Sequence, residues 1–138
     1  MAADLWHAVE AVNFGTLATI KRDGRPQLSD VNYTAAPGLI RISTRAPLAK
    51  THNLRRDPRA SLKVTGKRGG YAVVEAIAEL SPVAAERHDA VVEELIEVYR
   101  LVQGKEHPDW DDYRRAMVED QRLVLRLHVE RLYGWLVG

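Results

Sequence analysis

Residues 14–44 read FGTLATIKRDGRPQLSDVNYTAAPGLIRIST, and the punctuation inside this stretch decides the fold. Phe14 to Ile20 is rich in β-branched and aromatic residues and predicts a strand. Asp23-Gly24 supplies a tight turn, so QLSDVNYTAA returns as a second strand beside the first. Pro37-Gly38 turns the chain again. Leu39 to Thr44 then sets Leu39, Arg41 and Ser43 against Ile40, Ile42 and Thr44, the period of two that marks a third strand. Strands joined by such short turns are antiparallel neighbours, because a parallel pair needs a long crossover.

The pattern extends outward from there. Upstream, Asp4 is placed to cap a short helix carrying Leu5, Trp6, Val9 and Val12 at helical spacing. Downstream, Pro47 suits the first turn of a helix that Asp57-Pro58 stops. ASLKVTG predicts a fourth strand and, after GKRGG, YAVVEAIAELS a fifth, with Ala72, Val74, Ala76, Ala78 and Leu80 on one face. Ser81-Pro82 ends it. AAERHDAVVEELIEVYRLVQG predicts a helix closing at Gly104, and DWDDYRRAMVEDQ a second. In RLVLRLHVERLYGWLVG, Leu123, Leu125, Leu127 and Val129 alternate with Arg122, Arg126, His128 and Glu130, giving a sixth strand. Strands that meander and are interrupted by helices predict a mainly β chain with helices, an antiparallel barrel plugged by helices and not a doubly wound parallel sheet.

Composition bounds the function. The chain has 138 residues, the usual size of one compact domain, so residues 1–138 are expected to form a single unit. Lys and Arg number 20 against 19 Asp and Glu, a net charge of +1 that offers no global field for nucleic acid. Cysteine is absent, which removes disulfides, thiolate metal sites and cysteine nucleophiles. No apolar run is long enough to span a membrane, and the start MAADLWHAVEA has no basic and apolar export pattern, so a cytoplasmic location is expected. The five histidines are scattered without ligand spacing, and no metal site is expected. Phosphate-binding loops, dinucleotide fingerprints and nucleophile elbows are missing as well.

One segment carries chemistry. PLAKTHNLRRDPRASL, residues 47–62, follows a strand that ends in Ser43-Thr44. Hydroxyls at a strand end, free N–H groups at a helix start and Lys50 within the first turn are the parts of a phosphate cradle. Lys50 and Asn53 stand at i, i+3 and share a helix face, while Leu48 and Leu54 can turn to the core. A solvated basic helix is the alternative reading of the same residues.

Taken together, GTLATIKRDGRPQLSDVNY, LIRISTRAPLAKTHNLRRDPRASL, YAVVEAIAELS and DWDDYRRAMVEDQRLVLRLHVERLYG resemble the split β-barrel flavin and deazaflavin oxidoreductases related to pyridoxamine 5′-phosphate oxidase. The wording is nearest to the actinobacterial branch that uses coenzyme F420. The resemblance implies a six-stranded antiparallel split β-barrel and a homodimer with the cofactor ring in a groove between subunits. It implies Gln27, Leu28 and Ser29 along the ring, Ser43, Thr44 and Lys50 at the phosphate, Asn53 near the tail or phosphate, and Tyr71 approaching from the partner subunit. Where relatives often carry Arg or Ser two positions before the lysine, this chain has Leu48.

The function expected from the resemblance is hydride transfer from reduced F420 to a small unsaturated organic acceptor. The cofactor carries the hard step, and no catalytic side chain is assigned. Arg55, Arg56, Arg59, Lys67 and Arg68 offer positive charge for the acidic tail of F420. FMN as the cofactor of a pyridoxamine-phosphate-oxidase-like enzyme, and a carrier of F420 or flavin without turnover, are the alternatives.

Overall fold

The computed structural model describes residues 3–136. In chain order it has α1 (Ala3–Ala11), β1 (Phe14–Ile20), β2 (Pro26–Asn32), β3 (Thr34–Ala36), β4 (Leu39–Arg45), α2 (Ala49–Arg56), β5 (Arg59–Thr65), β6 (Gly70–Leu80), α3 (Ala90–Gln103), α4 (Trp110–Glu119) and β7 (Arg122–Leu136). All strand pairs are antiparallel in one sheet of order β2-β1-β5-β6-β7-β4-β3. The fold is α+β, a curled antiparallel half-barrel with four helices.

The sheet has seven strands where six were expected, and the reason is Tyr33. QLSDVNYTAA divides there: β2 pairs with β1 and β3 with β4, at opposite edges of the sheet. Tyr33 turns wholly inward, its hydroxyl donating to Val9 O at 2.7 Å and its backbone N–H to Asn13 O at 3.0 Å. Two strands consecutive in sequence can occupy opposite edges only if the sheet curls until those edges approach, so this crossing is what makes it a half-barrel.

Alternation fills the barrel. Ala72, Val74, Ala76 and Ala78 of β6 and Leu123, Leu125 and Leu127 of β7 point into one core with Leu17, Ile40, Ile42, Leu62 and Val64. Between Glu75 and Ala76 the β6–β7 register slips by one residue, leaving Glu130 unmatched. The bulge reverses the alternation of β7, so that Leu132 packs on the core while Tyr133 and Trp135 face out. The outer face of β4 and β7 is covered by α3 and α4, where Val91, Val92, Leu95 and Ile96 meet Met117 and Val124. Asp89 caps α3 by accepting from Val92 N, and Gly104, at φ 68, ends it in the left-handed conformation.

The remaining helix, α2, closes one end of the barrel. It begins at Ala49, with Leu48 at the N-cap and Pro47 just outside, two residues later than Pro47 alone predicts. Leu54 enters the core and Thr51 is buried. Truncating Leu54 to Ala would cost about 2–5 kcal/mol, the range for a buried leucine. None of the described helices is long and apolar enough to cross a membrane.

Candidate functional site

Each flank of α2 bears a concavity with polar walls, and each is built by the strand next to it. On one flank a hydrogen-bonded chain ties α2 to the β1–β2 hairpin. Asn53 Nδ2 donates to Thr19 Oγ1 at 3.1 Å, Thr19 Oγ1 to Gln27 Oε1 at 3.1 Å, and Gln27 Nε2 to Ser29 Oγ at 2.9 Å. Arg56 Nη2 closes it by donating to Asn53 Oδ1 at 3.2 Å and to Ile20 O at 2.6 Å. Gln27 and Ser29 therefore face α2, and Leu28, on the opposite side of β2, is 63% exposed. Beside this chain lies a cleft of about 660 Å³ lined by Lys21, Arg22, His52, Arg55 and Arg56 together with Gln27 and Asn53.

On the other flank, Ser43 and Lys50 meet across a groove of about 420 Å³. One side is formed by Asp30, Val31 and Asn32 of β2, which is an edge strand, and the other by Tyr99 of α3 and Tyr113 and Met117 of α4. The helical wall is stiffened by four rings, Tyr99, His107, Trp110 and Tyr113, every pair of which lies 5.2–5.6 Å apart. Tyr113 also donates its hydroxyl to Leu95 O at 3.0 Å, and burial pushes its pKa up to about 12.

Adjacent strand residues point to opposite faces, and this separates two expected phosphate ligands. Ser43 opens on the groove. Thr44 is 1% exposed inside the barrel, with its hydroxyl 3.4 Å from that of Thr51, which in turn donates to Arg45 O at 2.7 Å. Lys50 is half-buried, and its pKa is lowered first by burial and then by the guanidinium of Arg122. Arg122 is a groove residue that sequence reasoning assigned only to the polar face of a strand. The single signal available was its place at the start of β7, opposite Arg45 in the ladder.

Tyr71 lies away from both concavities. It stands on the outer face of the sheet, beside Trp135 in the β6–β7 ladder, and both rings are exposed. Gly134 permits this close pairing: a Cβ there would come within 2.4 Å of Tyr71 O, and its φ is 116. Of the basic residues considered for an acidic tail, Arg55 and Arg56 line the cleft, whereas Arg59 is engaged by Asp57 at 2.8 Å. That pairing pulls the Asp57 pKa down to about 2.

The family model described as pyridoxamine 5′-phosphate oxidase matches residues 4–136. Among solved structures, a conserved hypothetical protein from Mycobacterium tuberculosis is similar, with a TM-score of 0.76 and 27% identity over 98% of this chain and 84% of that one. An F420 reductase superposes with a TM-score of 0.73 at 16% identity, covering 96% of this chain and 98% of that one. A FAD-binding protein from Mesorhizobium loti gives 0.68 at 21% identity, covering 97% and 92%. The last two likenesses show a shared fold.

Proposed function

This chain belongs to the pyridoxamine 5′-phosphate oxidase family, and from that premise we propose that it is an oxidoreductase that uses coenzyme F420 to reduce a small unsaturated organic acceptor. The observation that carries this reading is the groove at Ser43 and Lys50. A half-buried ammonium whose pKa is lowered, beside a hydroxyl and a second cation, is a donor set that suits a phosphate. A cationic ligand would be repelled there, and an anion gains most.

In this reading Lys50 and Ser43 hold the cofactor phosphate, and Gln27 and Ser29 present an amide and a hydroxyl along the same strand edge to the ring. Thr44 and Asn53 act from beneath, by fixing α2 to β4 and to the β1–β2 hairpin through the bonds described above. Bound there, reduced F420 supplies a hydride from its ring. The protein's work is to bind, to orient the acceptor against the ring and to limit water, and protons come from solvent. Tyr71, on the outer sheet face, belongs to the subunit interface of a homodimer, from which it reaches the partner's ring.

The test is steady-state absorbance of reduced F420 with quinone, tetrapyrrole and unsaturated carbonyl acceptors. Oxidation that requires an acceptor is the expected result. Binding of F420 without turnover on any acceptor would make the protein a carrier. Tighter binding of FMN would move it to the flavin-dependent enzymes.

A further inference from the structure

We infer that Arg122 is the second half of the phosphate clamp, acting with Lys50 to hold one phosphate group between them. The inference rests on the reading that the groove takes a phosphate-bearing cofactor, and it assigns a ligand that lies 72 residues further along the chain than Lys50.

Three observations carry it. First, Arg122 Nε is buried without a hydrogen-bond partner, and Nη1 reaches only Ser43 Oγ at 3.5 Å, the limit of a hydrogen bond. A guanidinium has five donors, and leaving one buried and unsatisfied is costly unless something else accepts from it. Second, Lys50 and Arg122 are brought together in one groove with no ion pair to either among the described residues; Asp30, on the far wall, accepts from Thr16. The other partly buried arginines among the described residues are matched by carboxylates, Arg41 and Arg126 by Glu94, Arg114 by Glu93 and Arg115 by Asp112. Two unmatched cations repel, and an anion between them reverses the sign of that interaction.

Third, the backbone is strained where it delivers Arg122. Gln121 adopts φ 53, the one positive φ of a non-glycine residue among the described residues. Its carbonyl accepts from Ala46 N at 2.9 Å, which locks the start of β7 to the end of β4 beside Ser43. Strain of this kind persists where the surroundings hold it in place, and here it aims one side chain into the groove. The departure at Leu48 has its counterpart here, since the second positive charge arrives from β7 instead of from the residues before Lys50.

The experiment compares each ring with and without its phosphate: FMN against riboflavin, and F420 against the deazaflavin alcohol lacking phosphate and tail. For whichever ring binds, the wild-type protein should prefer the phosphorylated form. Arg122→Gln should lower that preference roughly 10- to 100-fold, the worth of one charge-assisted hydrogen bond. Arg122→Lys should recover part of it. Arg45→Gln, which removes the same charge from the paired strand but outside the groove, should leave it nearly unchanged. The second readout needs no ligand: NMR titration of the Lys50 ammonium should show its pKa rising in Arg122→Gln.

If the wild-type protein shows no preference for phosphate, the reading of the groove itself fails. A strong preference that survives Arg122→Gln, or a Lys50 titration that does not move in that variant, would overturn the Arg122 assignment alone.

Discussion

Asn53 donates through Nδ2 to Thr19 Oγ1 at 3.1 Å, and this bond, together with that of Arg56 to Ile20 O, joins the helix that carries Lys50 to the hairpin that carries Gln27. Asn53 is 8% exposed and Thr19 1%, so neither group finds water if its partner is removed. Asn53→Ala should therefore destabilise the fold by about 1–3 kcal/mol, the cost of leaving buried polar groups unsatisfied. Denaturant unfolding measures it. Cofactor affinity should fall less than in Lys50→Ala; a large loss of affinity with no loss of stability would instead make Asn53 a direct ligand.

The ionic clamp between α3 and the sheet predicts acid sensitivity. Glu94 accepts from both Arg126 Nε, at 3.1 Å, and Nη2, and lies 3.5 Å from Arg41. Arg126, by its hydrogen bond, is the chief cause of the lowered Glu94 pKa. The folded state thus binds fewer protons at Glu94 than the unfolded chain between the lowered value and the ordinary 4.5. The stability it supplies is complete above that ordinary value and is lost as pH falls through the folded one. Arg126→Met should move the acid-unfolding midpoint to higher pH. An unchanged midpoint would show that Glu94 is solvated in both states.

Much of this architecture was legible in residues whose period is local. The alternation of Leu39 to Thr44, of Tyr71 to Leu80 and of Leu123 to Val129 reports its own strand, because each side chain faces core or cover by parity. Tyr33 broke the second strand invisibly, since its inward turn depends on Val9 and Asn13 across the barrel. Val124 looked like one more residue of a two-faced strand and is buried because α3 and α4 cover that side. The place of Lys50 near a helix start was legible; its nearness to Arg122 was not, because that neighbour lies far away in the chain.

The exposed aromatic end of the β6–β7 ladder predicts self-association. Tyr133 and Trp135 of β7 stand opposite Val73 and Tyr71 of β6, and Trp135 is 63% exposed. Large aromatic groups clustered on one face suit burial against another chain, and a homodimer would cover them by two-fold symmetry. Light scattering at micromolar concentration should give a dimer, and Trp135→Glu should shift it to a monomer while weakening cofactor binding. A wild-type monomer that still binds cofactor tightly would remove the shared groove.

Lys50 predicts a pH dependence of binding. Its folded pKa lies below the ordinary 10.5, from burial first and Arg122 second. The ligand-free protein therefore binds fewer protons there than the unfolded chain, so its stability rises with pH across the window between the lowered pKa and 10.5. Cofactor affinity runs the other way, since the ammonium is needed and is lost as pH rises through the lowered value. Lys50→Ala should weaken binding by about 1.5–3 kcal/mol and abolish this limb of the pH profile, with the fold intact. Equal affinity in wild type and variant would return α2 to a solvated basic helix.

The choice between F420 and FMN turns on the cleft at the other flank of α2. Both cofactors would bring one phosphate to Lys50, so the groove alone would treat them alike. F420 adds a tail of carboxylates, and Lys21, Arg22, His52, Arg55 and Arg56 line a cleft whose walls hold no carboxylate. Arg59 is excluded from that role by Asp57, and Lys67 and Arg68 lie at the turn between β5 and β6, outside the cleft. F420 should thus bind more tightly than FMN, and added salt should narrow the difference, because exposed charges are screened. Arg55→Gln and Arg56→Gln should each weaken F420 by a few tenths to about 1 kcal/mol, the worth of an exposed ion pair, and leave FMN nearly unaffected. Titration of both cofactors can follow tryptophan emission, for which Trp110, packed against the groove residue Tyr113 at 5.4 Å between ring centroids, is the reporter. Equal losses for the two cofactors would place the arginines near the shared phosphate, and no loss for either would leave the cleft without a tail.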